Sequence, residues 1–132
     1  MDFSSLVLIE RDNEGKFLKE HGSYKVNQGA EFVTKFYMSG SKVYIEFSTG
    51  RDVEEWEYSA IYDLMSIENI ENSGYKVEEM LDEYNPSWRI CFDFNEDHNE
   101  MEDKINDILD MIDEDIEKVM EDIKGKEEQY TE

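Results

Sequence analysis

The sequence predicts an α+β fold: an antiparallel sheet of five or six strands with a long C-terminal amphipathic helix packed on one face. Three observations lead there. Residues 3–48 alternate apolar and polar side chains between turn clusters, the period-two pattern of half-buried strands. Residues 101–123 instead repeat apolar side chains at helical spacing. The chain, 132 residues with 39% hydrophobic and 13% aromatic content, suits one domain with a single core.

The elements follow in order. Phe3 to Arg11 reads as a strand, and Asp12-Asn13-Glu14-Gly15 as the turn after it, with glycine where a positive φ is needed. Lys16 to Val26 returns, interrupted near Gly22, and Asn27-Gln28-Gly29 turns again. Glu31 to Met38 alternates Phe32, Thr34, Phe36 and Met38 against Glu31, Val33, Lys35 and Tyr37. Beyond Ser39-Gly40-Ser41, Lys42 to Ser48 sets Val43, Ile45 and Phe47 against Tyr44, Glu46 and Ser48.

Residues 53–64 admit two readings. Asp52-Val53-Glu54-Glu55 resembles a capping box with Asp52 as N-cap, and a helix from Val53 would align Val53, Trp56, Ala60 and Leu64. That helix places Glu57 on the apolar face, a costly position for a carboxylate. A strand sets Trp56, Tyr58, Ala60, Tyr62 and Leu64 on one side with no buried charge, and is the preferred reading. Met65 to Gly74 is polar and irregular, with room for one helical turn. Val77, Met80, Leu81 and Tyr84 recur at helical spacing, so Tyr75 to Tyr84 reads as a short helix stopped by Asn85-Pro86. Ser87 to Phe94 is a strand with Trp88, Ile90, Phe92 and Phe94 on one face.

The last helix is the clearest element. Asn95 or Asp97 can cap it, and Met101, Ile105, Ile108, Leu109, Ile112, Ile116, Val119, Met120 and Ile123 form a continuous stripe. The stripe fits a sheet-covering helix at least as well as a dimer seam, so the oligomeric state stays open. Gly125 terminates it, giving a domain over 1–124 and a flexible acidic tail over 125–132.

The run Asp52 to Leu64 (DVEEWEYSAIYDL), the run Asp82 to Trp88 (DEYNPSW) and the opening Met-Asp-Phe-Ser-Ser-Leu resemble an uncharacterised bacterial family of small acidic proteins, a domain of unknown function. The likeness spans most of the chain. It implies no active site.

Residue chemistry excludes more than it assigns. The single cysteine, Cys91, rules out an internal disulfide or a four-cysteine zinc site, and its apolar surroundings suit a buried small side chain. No Gly-x-Ser-x-Gly or phosphate-binding glycine loop occurs, and His21 and His98 lie in separate elements. Asp93-Phe94-Asn95-Glu96-Asp97 mimics the start of a calcium loop, but His98 and Lys104 stand where that loop needs glycine and glutamate. No cofactor or metal is predicted. The opening segment lacks a basic region before its short apolar run, and no run approaches the length of a membrane span, so the expectation is a cytoplasmic protein.

Charge is the most specific feature. The net charge is −22, yet residues 1–48 carry seven acids against six bases while residues 49–132 carry 28 acids against seven. Such acidity disfavours direct binding to nucleic acid or anionic membrane. On the last helix, Asp103, Asp107, Asp110, Glu114, Glu117 and Glu121 recur every three or four residues and form one row opposite the stripe. From Asp107 to Glu121 the row extends about 21 Å. Each like-charge neighbour costs the helix about 0.2–0.5 kcal/mol, partly offset by Glu100–Lys104 and Glu114–Lys118 pairs. A solvated face is the simplest account. The functional account is a surface for a basic protein, in a non-enzymatic interaction or regulatory module, with a nucleic-acid mimic as the alternative and an unrecognised enzyme as the second. Separately, Trp56 and Tyr58 are the candidate aromatic surface for a partner.

Overall fold

In a computed structural model, which describes residues 4–26 and 29–131, the sheet has six strands in the order β2-β1-β3-β4-β6-β5. These are β1 (Ser4–Arg11), β2 (Phe17–Val26), β3 (Val33–Ser39), β4 (Lys42–Ser48), β5 (Lys76–Glu79) and β6 (Ser87–Asp93). Four helices accompany them: α1 (Glu55–Leu64), α2 (Glu68–Asn72), α3 (His98–Asp122) and α4 (Glu127–Tyr130). The expected residues Phe3, Asn27 and Gln28 lie outside the described residues.

The sheet is mixed rather than wholly antiparallel. Strands β1 and β2 form the expected hairpin, but β3 runs parallel to β1, with Ile9 opposite Tyr37. A meander would set β3 beside β2. Instead a 3-10 turn at Ala30–Phe32 carries the chain past β1, leaving β2 at the edge. Gly29 makes that crossing possible. It holds φ at 93°, and a Cβ there would sit 2.3 Å from the Leu109 carbonyl oxygen of α3. The irregularity foreseen near Gly22 is a register shift between Leu8 and Ile9 that skips His21 on β2.

Alternation then decides which side is covered. Leu8, Tyr24, Phe36, Met38, Val43, Ile45, Phe47, Trp88, Ile90 and Phe92 are buried on one face. Against them α3 lays its stripe, with every predicted position buried except the half-buried Met120. Asp97 caps α3, its carboxylate accepting the Glu100 amide at 3.0 Å. Burying one Ile or Leu gains about 1.5–3 kcal/mol, so a few stripe residues outweigh the whole like-charge cost of the acidic face. Among the described residues, no helix covers the opposite face of the sheet.

Two elements differ from the sequence reading. Residues 55–64 are helical, with Ala60 and Ile61 buried. The capping box forms two residues later than Asp52 suggested: Glu54 caps, and Glu57 accepts the Glu54 amide at 2.9 Å. The cost foreseen for Glu57 is outweighed because Arg51 binds its carboxylate at 2.9 and 3.3 Å. Residues 75–84 do not form a helix. Val77 pairs with Ile90 as β5 extends the sheet, while Leu81 and Tyr84 are exposed. A ten-residue helix is marginal alone, and the open edge of β6 offers the backbone better partners. The segment after Gly125 carries α4, whose Tyr130 hydroxyl donates to Asp63 on α1 at 2.5 Å.

Candidate functional site

Helix α1 and the C-terminal half of α3 border a cleft of about 1090 Å³. Its apolar lining comes from Phe32, Trp56, Ile116, Met120 and Ile123, and its α3 rim carries Glu114, Glu117 and Glu121. Residues predicted separately therefore meet: half of the acidic row and one of the two candidate aromatics. Trp56 is half-buried there, and its indole Nε1 is buried without a hydrogen-bond partner. Arg51 and Glu57 close the α1 side as an ion pair. The Arg51 guanidinium, hydrogen-bonded to Glu57, holds that carboxyl below its usual range.

All six residues of the row, Asp103, Asp107, Asp110, Glu114, Glu117 and Glu121, are exposed. The two predicted compensating pairs do not form. Lys118 bonds Asp122 at 2.9 Å instead of Glu114, and Lys104 lies over the Phe92 ring at 5.7 Å while Glu100 accepts from Asn95. Within the row only Glu121 has an ion-pair partner among the described residues, Lys124 at 2.9 Å. The row is thus barer than its sequence implied.

Trp56 and Tyr58 do not share a surface. Two residues apart on a helix, they diverge, whereas a strand would have aligned them. Tyr58 faces the turn after β5, its hydroxyl 3.2 and 3.1 Å from the Leu81 and Glu83 carbonyl oxygens. Tyr62 pins the same turn, accepting the Ser87 amide at 2.9 Å, and burial pushes its phenol up to about 12. Asn85 donates to Asp52 at 3.0 Å and accepts the Val53 amide at 3.2 Å. The two runs that carry the family resemblance, 52–64 and 82–88, are therefore packed on one another.

Other candidates resolve into local structure. His21 pairs with Glu10 at 2.7 Å, and His98 stacks on Tyr24 at 4.8 Å. Cys91 is half-buried on the open face rather than within the core, because its register places it opposite Tyr44. Asp93 pairs with Lys42, and Asn95 and Asp97 start α3. Among the described residues no group of three or more His, Cys, Asp or Glu is placed to hold a metal ion, and no helix is long and apolar enough to cross a membrane.

One residue escaped the sequence reading. Asp115 is buried on α3, its Oδ2 without a partner, and desolvation raises its pKa above the ordinary value. The signal was present: Asp115 lies three residues after Ile112 and four before Val119, within reach of the stripe. Phe32 and Arg51 were also missed as cleft residues, since only the fold brings them to α3.

No curated protein and no solved structure matches the chain. A family model does match it, over residues 1–131. The chain belongs to that family, described as a family of unknown function (DUF6762).

Proposed function

We propose that this is a non-enzymatic, cytoplasmic interaction or regulatory module whose cleft between α1 and α3 receives a basic amphipathic segment of a partner protein. The observation that carries this reading is the joining of an apolar floor at Trp56 to a rim on which Glu114 and Glu117 lack cationic partners among the described residues. A partner's apolar side chain fits the floor, and its lysines or arginines fit the rim. Charge complementarity of this kind speeds encounter and fixes orientation. The rim cations Arg51, Lys118 and Lys124 are each bonded to a carboxylate of the chain itself, so they oppose a basic partner less than free cations would.

Affinity capture from the native host tests the reading. It predicts basic proteins that elute as salt rises, and that are lost when Glu114, Glu117 and Glu121 are all changed to glutamine. Capture that ignores both salt and these substitutions contradicts it. Nucleic-acid mimicry would rest on the full row, including Asp103, Asp107 and Asp110, and predicts that DNA displaces the captured protein.

A further inference from the structure

The uncovered face of the sheet holds a second concavity, of about 380 Å³, beneath the β1–β2 hairpin. Only three arginines occur in the chain, and two of them, Arg11 and Arg89, line it. They arrive from different strands. Register places Ile9 beside Tyr37, Tyr37 beside Tyr44, and Glu46 beside Arg89, so β1, β3, β4 and β6 all contribute to this face. The guanidinium of Arg11 lies over the Tyr37 ring, 4.7 Å from its centroid. Tyr37 and Tyr44 stack at 5.2 Å beneath it.

Neither guanidinium is saturated. Arg11 has no ion pair among the described residues; it lies on the Tyr37 ring face, which leaves its N–H edge open. Arg89 lies against the Tyr37 hydroxyl and stands 3.9 Å from Glu46 and 3.6 Å from Glu78, both longer than a charge-assisted hydrogen bond, and its Nε is buried without a partner. A buried unpaired donor is uncommon in a folded protein and calls for an acceptor. Of the acids nearby, Asp12 accepts the Glu14 and Lys16 amides and Glu46 accepts the Tyr37 hydroxyl at 2.8 Å, while Glu78 reaches Arg89 only at 3.6 Å.

We infer that this concavity is a binding site for a single carboxylate, held by the Arg11 and Arg89 guanidiniums above the Tyr37–Tyr44 pair. The guanidinium fork matches a carboxylate in two parallel hydrogen bonds. Arg11 has no carboxylate paired with it and can take one negative charge, while Glu46 and Glu78 beside Arg89 repel a second, which selects a carboxylate over a phosphate dianion. The carboxylate can belong to a small organic acid or to the C-terminus of a peptide. This site lies on the face opposite α3 and does not depend on the cleft there.

Nitrogen-detected NMR of the labelled full chain tests the inference, with sodium benzoate as the probe because its ring can lie on Tyr44. Saturable shifts at the Arg11 and Arg89 Nε–H groups are expected. Arg11→Ala should weaken binding about tenfold, the loss expected when a charged hydrogen-bonding partner is removed. Arg11→Lys, which keeps charge without the fork, should fall between. A short peptide ending in phenylalanine separates the sources: tighter binding than benzoate, lost on C-terminal amidation, assigns a peptide terminus, and weaker binding assigns a small acid. Benzoate that leaves both arginines unmoved, binding unchanged in Arg11→Ala, or tighter binding of inorganic phosphate than of benzoate would overturn it.

Discussion

Helix α3 carries eleven acidic and two basic side chains, whereas the uncovered sheet face carries four acids (Glu20, Glu46, Glu78, Asp93) among six bases (Arg11, Lys25, Lys35, Lys42, Lys76, Arg89). The difference extends to partners. On the sheet, Glu46 binds Tyr37, Glu78 lies against Arg89, and Asp93 binds Lys42. On α3, five of the six row carboxylates have no ion pair among the described residues. The sheet face uses three of its four acids to hold itself together, and the helix face leaves its acids for water or for something else. Net charge alone conceals this division, which follows the layers of the fold more closely than the halves of the chain.

The largest break in that comparison is at the joint between the two layers. Gly29→Ala drives a Cβ into the Leu109 carbonyl at a positive φ, and should cost about 3 kcal/mol in urea unfolding. A smaller change tests the self-supporting sheet face. Tyr37→Phe removes the donor to the buried Glu46 carboxylate, at a cost of about 2 kcal/mol.

The helix layer should respond in the opposite direction. Asp115→Asn should stabilise the protein at pH 7 by about 1 kcal/mol, because the wild type holds a desolvated carboxylate there. The sign follows from linkage. The folded pKa lies above the ordinary 3.8, so wild-type stability falls as pH rises through the folded pKa, and the advantage of asparagine vanishes below about 3.8. Urea unfolding from pH 3 to pH 8 measures it. The smallest effect belongs to the exposed row: Glu117→Gln relieves its repulsion with Glu114 and Glu121 and should gain about 0.5 kcal/mol. A loss of stability there would show that the row has internal partners after all.

Much of this division was legible in the sequence. Alternation marked β1, β3, β4 and β6, and the unbroken stripe fixed α3, because each pattern reports one buried face. The same reasoning failed where two periods compete. Trp56, Ala60 and Leu64 satisfy a strand and a helix alike, and the deciding pair joins Arg51, ahead of the capping box, to Glu57 within it. Residues 76–79 follow a helical pattern yet form an edge strand because β6, eight residues further on, needs a neighbour. The cleft was half legible. The row and Trp56 stood out, but their meeting depends on Phe32 and on the crossing at Gly29, which no local pattern encodes. The arginine pair of the sheet face was hidden for the same reason.

The central claim is that the acidic rim and the Trp56 floor act as one site. Trp88 is buried and Trp56 is only half-buried in the cleft, so a cationic amphipathic peptide added to the protein should alter the fluorescence of Trp56. The account predicts a saturable blue shift that weakens as salt rises, is lost in Trp56→Phe, and loses most of its affinity in the Glu114→Gln, Glu117→Gln, Glu121→Gln variant. A shift that persists in Trp56→Phe, or affinity unchanged by salt and by those three substitutions, would contradict it.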